Sequence, residues 1–340
     1  MHPGTIGALV GFAIAAGMPA GAQPVTGAGA TFPAPLYQKW GEAAKGALGI
    51  ALNYQAIGSG GGINQIVQRT VDFGATDAPL NAERLQSSEL MQFPSVVGGI
   101  VLTINVPGIP DKTLRLTGDL LGAIFRGRVA RWNDARIAAL NPGLALPNVP
   151  VAPVYRADAS GTTFQFTDYL ARASQDWKAS VGSGTSVRWP AGVGARGNDG
   201  VAGTVRNTRG GVGYVEYAYA KLNGLTTTQL RNRDGNFVSP TEATFQDAAA
   251  NADWEVDPTF GISLNDRPGA NSWPITAPTF ILVPLNAAGP GRAAAVLRFF
   301  DWAFRDGDAI AAELVYVPLP ESAKAAVRAA WLRRMGYRGS

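Results

Sequence analysis

Residues 50–77 read IALNYQAIGSGGGINQIVQRTVDFGATD, and the order of residue types in this stretch decides the fold class. IALNYQA alternates in the manner of a strand, and the glycine-rich GSGGG follows at residues 58–62. INQIVQRT then sets Ile63, Ile66 and Val67 on one helical face, and VDFGATD reads as a second short strand. A strand, a loop, a helix and a strand in that order make a parallel pair, because the chain needs the helix as its return path.

The alternation continues on both sides. GAGATFPAPLYQKWGEAAKGA (residues 27–47) has a Gly/Ala loop, then Thr31 as an expected N-cap with Pro33 and Pro35 in the first turn. Leu36, Trp40 and Ala44 follow at helical spacing. Further strands are expected at residues 71–77, 96–105, 149–156, within 210–220 and at 280–285. The expectation is α/β with largely parallel sheets. VVGGIVLTINVPG and WPITAPTFILVPL read as two crossings between domains, which would make the first domain discontinuous (residues 23–99 with 275–340) and the second residues 100–274.

Composition narrows the chemistry. The chain has 340 residues, room for two domains, with 46% hydrophobic and 16% charged residues. The formal net charge of +4 is mild, and the densest internal basic patch, FRGRVARW (residues 125–132), reads as solvated surface, so no nucleic-acid partner is expected. There is no cysteine, which excludes disulfides, thiol catalysis and Cys-ligated metals. The single histidine is His2.

His2 falls in a segment that reads as an export leader, residues 1–22. Residues 6–16 form an apolar core of leader length, and Ala20-Gly21-Ala22 fits the small-x-small cleavage pattern before Gln23. Residues 1–38 carry no Lys or Arg, so the usual basic start is missing and the true start codon is expected upstream. Cleavage would leave a mature chain without histidine and without a cysteine for a lipid anchor.

Four strand-to-helix junctions carry the same chemistry: GAGATF (27–32), GSGGG (58–62), GATDAP (74–79) and RADASGTT (156–163). A helix start has unpaired N–H groups and a positive dipole end, glycine lets backbone approach a ligand, and Ser and Thr add hydroxyl donors. Each junction alone is commonly a turn or a cap, and the four together point to an anion site at the carboxyl ends of the strands.

Catalysis finds little support in the same residues. GSGGGINQ lacks the lysine of a nucleotide phosphate loop, and Ser160 has no histidine to serve as its base. No G-x-S-x-G elbow surrounds Ser160, and the nearest lysine is Lys178. Ligand sets for a catalytic metal are not apparent either, so no cofactor is expected and binding is the reading that remains.

GAGATFPAPLYQKW, NYQAIGSGGGINQIVQRTVDFGATDAPL, RADASGTTFQFTDYL and GNDGVAGTVRN followed by GGVGYVEYAYA closely resemble the periplasmic phosphate-binding proteins of bacterial high-affinity phosphate ABC transporters. WPITAPTFILV and FFDWAF fit as well, so the resemblance runs over nearly the whole chain beyond the leader. It implies a two-lobed periplasmic-binding-protein fold of type II, with two α/β domains on a two-crossing hinge and phosphate in the cleft. It also implies a monomeric, periplasmic carrier that delivers phosphate to membrane permease subunits, not an enzyme. Carried over by position, the ligand contacts fall on Thr31, the Phe32 backbone N–H, Ser59, Asp77, Arg156, Ser160, Gly161 and Thr162, with Asp158 as the partner of Arg156. Gly60, where relatives often have a second Ser, and Thr76, where they have Ser, depart from the pattern. The expected role of Asp77 is to accept the proton that phosphate carries and sulfate lacks. Arsenate, which also carries a proton, and a secreted phosphoester hydrolase on the same cradle remain as alternatives.

Overall fold

The computed structural model describes residues 23–250, 252–254, 256–286 and 290–339. The expected leader and its cleavage site lie outside these residues.

The strands, in chain order, are β1 (Gln23–Gly29), β2 (Ile50–Ala56), β3 (Phe73–Thr76), β4 (Leu90–Asn105), β5 (Arg115–Leu116), β6 (Ala152–Arg156), β7 (Val193–Ala195), β8 (Gly211–Glu216), β9 (Thr226–Thr227), β10 (Gln229–Arg231), β11 (Phe237–Val238) and β12 (Thr276–Pro284). The main sheet runs β2-β1-β3-β12-β4-β8-β6-β7, with β9 also on β4, and β11-β10-β5 form a small second sheet. The outer strands are parallel as expected: β2, β1 and β3 at one end, β8, β6 and β7 at the other. The centre is not. β12 lies antiparallel to both β3 and β4, and β4 lies antiparallel to β8. Hydrophobic periodicity shows which segments are strands but carries no information on pairing direction.

β4 joins the two ends of the sheet. Its sequence LMQFPSVVGGIVLTIN is buried along all but the last residue. Leu90 to Gly99 pair with β12, and from Ile100 onward the same strand pairs with β8. The register places Thr276 opposite Gly99 and Glu216 opposite Ile100, and Ile100 N also donates to Ile275 O (2.8 Å). β8 runs against β4 and therefore ends at the middle of that strand. β3 shares the direction of β4, so its own end points at that middle from the opposite side. The carboxyl ends of the two parallel groups thus face each other across the centre of the sheet.

Gly98 and Gly99 sit at this centre because a side chain would not fit. A Cβ would stand 2.9 Å from the Phe32 ring at Gly98 and 2.2 Å from the Phe245 ring at Gly99. The helix Ala34–Leu48 buries Leu36, Tyr37, Trp40 and Ala44, including the three residues its periodicity selects, and ends at Gly49 with φ 64°. The C-terminal helices Pro290–Asp306 and Glu321–Met335 return to the same side: Phe300 packs on Tyr37, Phe73 and Phe93, and Trp331 on Phe93. Edge-to-face aromatic pairs such as these add about 0.5–1.5 kcal/mol each beyond area burial.

Candidate functional site

The parallel strands β1, β2 and β3 deliver Thr31, Ser59 and Asp77 just past their carboxyl ends. From the opposite group, β6 ends on Arg156 and leads through Asp158 into the helix Gly161–Ala173, and β7 leads into the helix Gly197–Asn207. Hydrogen bonds tie the two walls together: Gly161 N to Ser59 Oγ at 3.0 Å, Gly60 N to Ala159 O at 3.0 Å, and Asn198 Nδ2 to Thr31 Oγ1 at 2.8 Å. All eight residues expected to touch the ligand are buried and lie within this one cluster.

Thr31 is not an N-cap. The helix starts at Ala34 with Pro33 in the cap position and no side-chain cap, which leaves Thr31 to face the other wall. Asp77 is not a cap either, since Asn81 caps the next helix. Ser160 is one: its Oγ accepts from Thr163 N at 3.1 Å.

The four cleft hydroxyls share an unusual wiring. Thr31 Oγ1 accepts from Asn198 N (3.2 Å) and Nδ2 (2.8 Å). Ser59 Oγ accepts from Gly161 N (3.0 Å) and Asp77 N (3.4 Å). Thr162 Oγ1 accepts from Arg156 Nη1 (3.4 Å) and Asn198 Nδ2 (3.5 Å). With Ser160, that makes four hydroxyls that accept from N–H donors and donate to nothing among the described residues. Nearby buried hydroxyls do donate, as Thr167 does to Thr163 O and Thr279 to Asp77 Oδ1. A hydroxyl with its lone pairs engaged still has one proton to give. The N–H groups of Phe32, Ser59 and Thr162 likewise meet no protein acceptor among the described residues. The cluster is a set of held-back donors, as an anion requires.

The charges are arranged around these donors. Arg156 is 3% exposed and meets Asp158 through two bonds, Nε to Oδ1 (2.8 Å) and Nη2 to Oδ2 (2.5 Å). Nε and one Nη2 hydrogen are therefore spent on Asp158, and the Nη1 and Nη2 end of the guanidinium remains for a ligand. Burial pushes the Asp158 carboxyl up, but the bonds and charge of Arg156 and the Gly197 N–H outweigh it and hold the group below its usual range. Asp77 is the opposite case. Burial pushes its pKa up to about 7, against a bond from Thr279 (Oγ1 to Oδ1, 2.7 Å) and the charge of Arg156, both of which lower it. Asp77 Oδ2 accepts nothing among the described residues.

Two departures from the family pattern acquire a physical account. The Thr76 hydroxyl closes a local turn with Ala78 N (3.1 Å) and O (2.8 Å), so it faces its own backbone. A Cβ at Gly60 would lie 2.5 Å from Ala159 Cβ across the cleft, so the glycine makes room for that methyl.

Sequence reading missed the residues that orient the site. Thr279 comes from β12, Gln165 Nε2 donates to Asp77 O at 2.6 Å, and Asn198 bridges the two walls. Thr279 stands out only as a hydroxyl inside the apolar run TAPTFILVP. Asn198 stood in view in GNDGVAGTVRN, at a glycine-led helix start of the kind that marks the other junctions. Glu216 caps its own turn through Ala218 N (2.8 Å) and accepts from Tyr316 Oη (3.0 Å), and burial raises its carboxyl well above the usual range.

Comparison with known proteins places this geometry in context. A family profile described as a PBP superfamily domain matches residues 15–306. The phosphate-binding protein PstS of Pasteurella multocida is 48% identical over 310 residues, covering 91% of this chain and 90% of that one. The PstS of Haemophilus influenzae is also 48% identical over 310 residues, covering 91% and 93%. Among solved structures, a phosphate-binding protein from Stenotrophomonas maltophilia superposes with a TM-score of 0.67 at 20% identity, over 91% of this chain and 94% of that one.

Proposed function

Because this chain belongs to the PstS family of phosphate-binding proteins within the PBP superfamily, we propose that it binds inorganic phosphate in this cleft and hands it to the membrane permease of an ABC importer. The observation that carries the reading is the set of four buried hydroxyls that accept from the protein and donate to nothing among the described residues. Thr31, Ser59, Ser160 and Thr162 supply hydroxyl protons. Phe32, Ser59 and Thr162 supply backbone N–H groups, the expected Gly161 N–H is spent on orienting the Ser59 hydroxyl, and Arg156 supplies the cation, held in place by Asp158. Asp77 supplies the single acceptor, and phosphate brings a proton to meet it. Sulfate brings none, so Asp77 must first take a proton from solvent, at a cost that grows as pH rises above about 7.

The raised pKa of Asp77 refines this account. With its carboxyl titrating near neutral pH, either Asp77 or the anion can bring the proton that lies between them. Ser160 fits a donor better than a nucleophile, since its oxygen caps a helix and no titratable side chain bonds to it among the described residues.

The register supports a division into two lobes. We read residues 23–99 with 275–340 as one and 100–274 as the other, joined where β4 exchanges β12 for β8. Export to the periplasm completes the proposal. Calorimetric titration with phosphate and sulfate at pH 8 is the test: tight phosphate binding and about tenfold weaker sulfate binding are expected, since protonating a carboxyl of pKa about 7 at that pH costs about 1.4 kcal/mol. A wild-type chain that does not bind phosphate would refute the assignment.

A further inference from the structure

We infer that Asn198 is a positioning residue for the anion, because its amide decides that the Thr31 and Thr162 hydroxyls from opposite walls both turn their protons into the cleft. The inference rests on the phosphate reading above.

Asn198 is fully buried, the second residue of the helix Gly197–Asn207. An amide has a donor and an acceptor on one carbon, and its orientation is set by what the oxygen meets. Here the oxygen meets the Glu216 backbone N–H, at 3.0 Å. A backbone N–H can only donate, so the oxygen is fixed on that side and Nδ2 is forced towards the threonines. Nδ2 reaches Thr31 Oγ1 at 2.8 Å and Thr162 Oγ1 at 3.5 Å. The Asn198 backbone N–H takes a second place on Thr31 Oγ1 at 3.2 Å. Thr31 therefore has both lone pairs engaged and only its proton left. Thr162 is held in the same sense by Nδ2 and by Arg156 Nη1 at 3.4 Å.

The turn is anchored from below as well. Gly197 adopts φ 71°, and its N–H donates to Asp158 Oδ1 at 3.1 Å, tying this helix start to the Arg156–Asp158 pair. Any L side chain at Gly197 would be strained in that conformation. One residue thus links β8, the helix Gly161–Ala173 and the first wall, without needing to touch the anion itself. The tighter geometry at Thr31 assigns that arm the larger share.

A double-mutant cycle tests this, with phosphate affinity measured by titration and folding checked by thermal melting. Asn198→Ala is expected to weaken phosphate binding about 30-fold, the worth of two oriented hydrogen bonds. In the Thr31→Val/Thr162→Val protein, which has no hydroxyls to orient, the same change is expected to cost less than about threefold. A full 30-fold loss in both backgrounds would show that Asn198 serves packing alone and overturn the inference. If Asn198→Ala does not fold, Asn198→Asp replaces it, because it keeps an acceptor for the Glu216 N–H. Its added charge acts in both backgrounds and cancels in the cycle, and an additive result again overturns the role. Wild-type protein that fails to bind phosphate would sink the functional reading, whereas normal wild-type binding with additive losses sinks only Asn198.

Discussion

Asp77 and Asp158 belong to opposite walls of one cleft, and the same side chain ends in opposite states. Asp158 has a guanidinium in two-point contact and is held below its usual range. Asp77 has a neutral threonine as its one side-chain partner and is pushed by burial up to about 7. Burial acts on both. What separates them is a cation within hydrogen-bond reach, which offsets desolvation on one wall and is absent from the other. One wall therefore holds a permanent, internally compensated charge pair, and the other holds a titrating acceptor.

The harshest way to break that contrast is to remove the cation. Arg156→Ala would leave Asp158 unpaired beside the anion, and phosphate affinity measured by titration should fall at least a hundredfold, from the ~3 kcal/mol or more that an orphaned buried charge costs. Asp158→Asn, which keeps the guanidinium, should cost far less.

The second test uses pH. Below about 7 the Asp77 carboxyl is protonated, neutral and able to donate to a sulfate oxygen, whereas above it the carboxylate repels sulfate. Sulfate affinity should therefore rise roughly tenfold between pH 8 and pH 6, while phosphate, which supplies the shared proton itself, changes little. In Asp77→Asn the preference for phosphate over sulfate should shrink and lose this pH dependence. A preference that stays large and flat in the wild type would remove Asp77 from the selective step.

A gentler probe addresses how closely the walls meet. Gly60→Ser puts a Cβ against the Ala159 methyl and should weaken binding about tenfold, in line with ~1–3 kcal/mol for overpacking. Ala159→Gly in the same chain should restore it. Failure of that rescue would mean the loss arises elsewhere than at this contact.

The site was legible in the sequence where local chemistry reports it. Glycines, hydroxyls and a helix start mark each junction, and apolar alternation marks several of the strands. The residues that orient the site were not legible, because their partners are distant: Asn198 and Thr31 are 167 positions apart, Thr279 and Asp77 are 202 apart. Thr31 was misread as a cap for a related reason. A proline pair can start a helix without side-chain help, and only the folded chain shows that the hydroxyl is used across the cleft. The antiparallel centre escaped for want of any signal, since β4 and β12 are apolar on both faces and direction leaves no trace in such a run.

The Arg156–Asp158 pair has one more consequence, for ionic strength. A site built on a bare arginine would attract its anion over a distance and lose affinity as salt screens it. Here the cation is cancelled by a neighbour two residues away, and most of the donors are neutral hydroxyls and amides. Recognition thus works at contact range, in a medium that mobile ions do not enter. The affinity of such a carrier should be nearly the same in dilute and in salty surroundings.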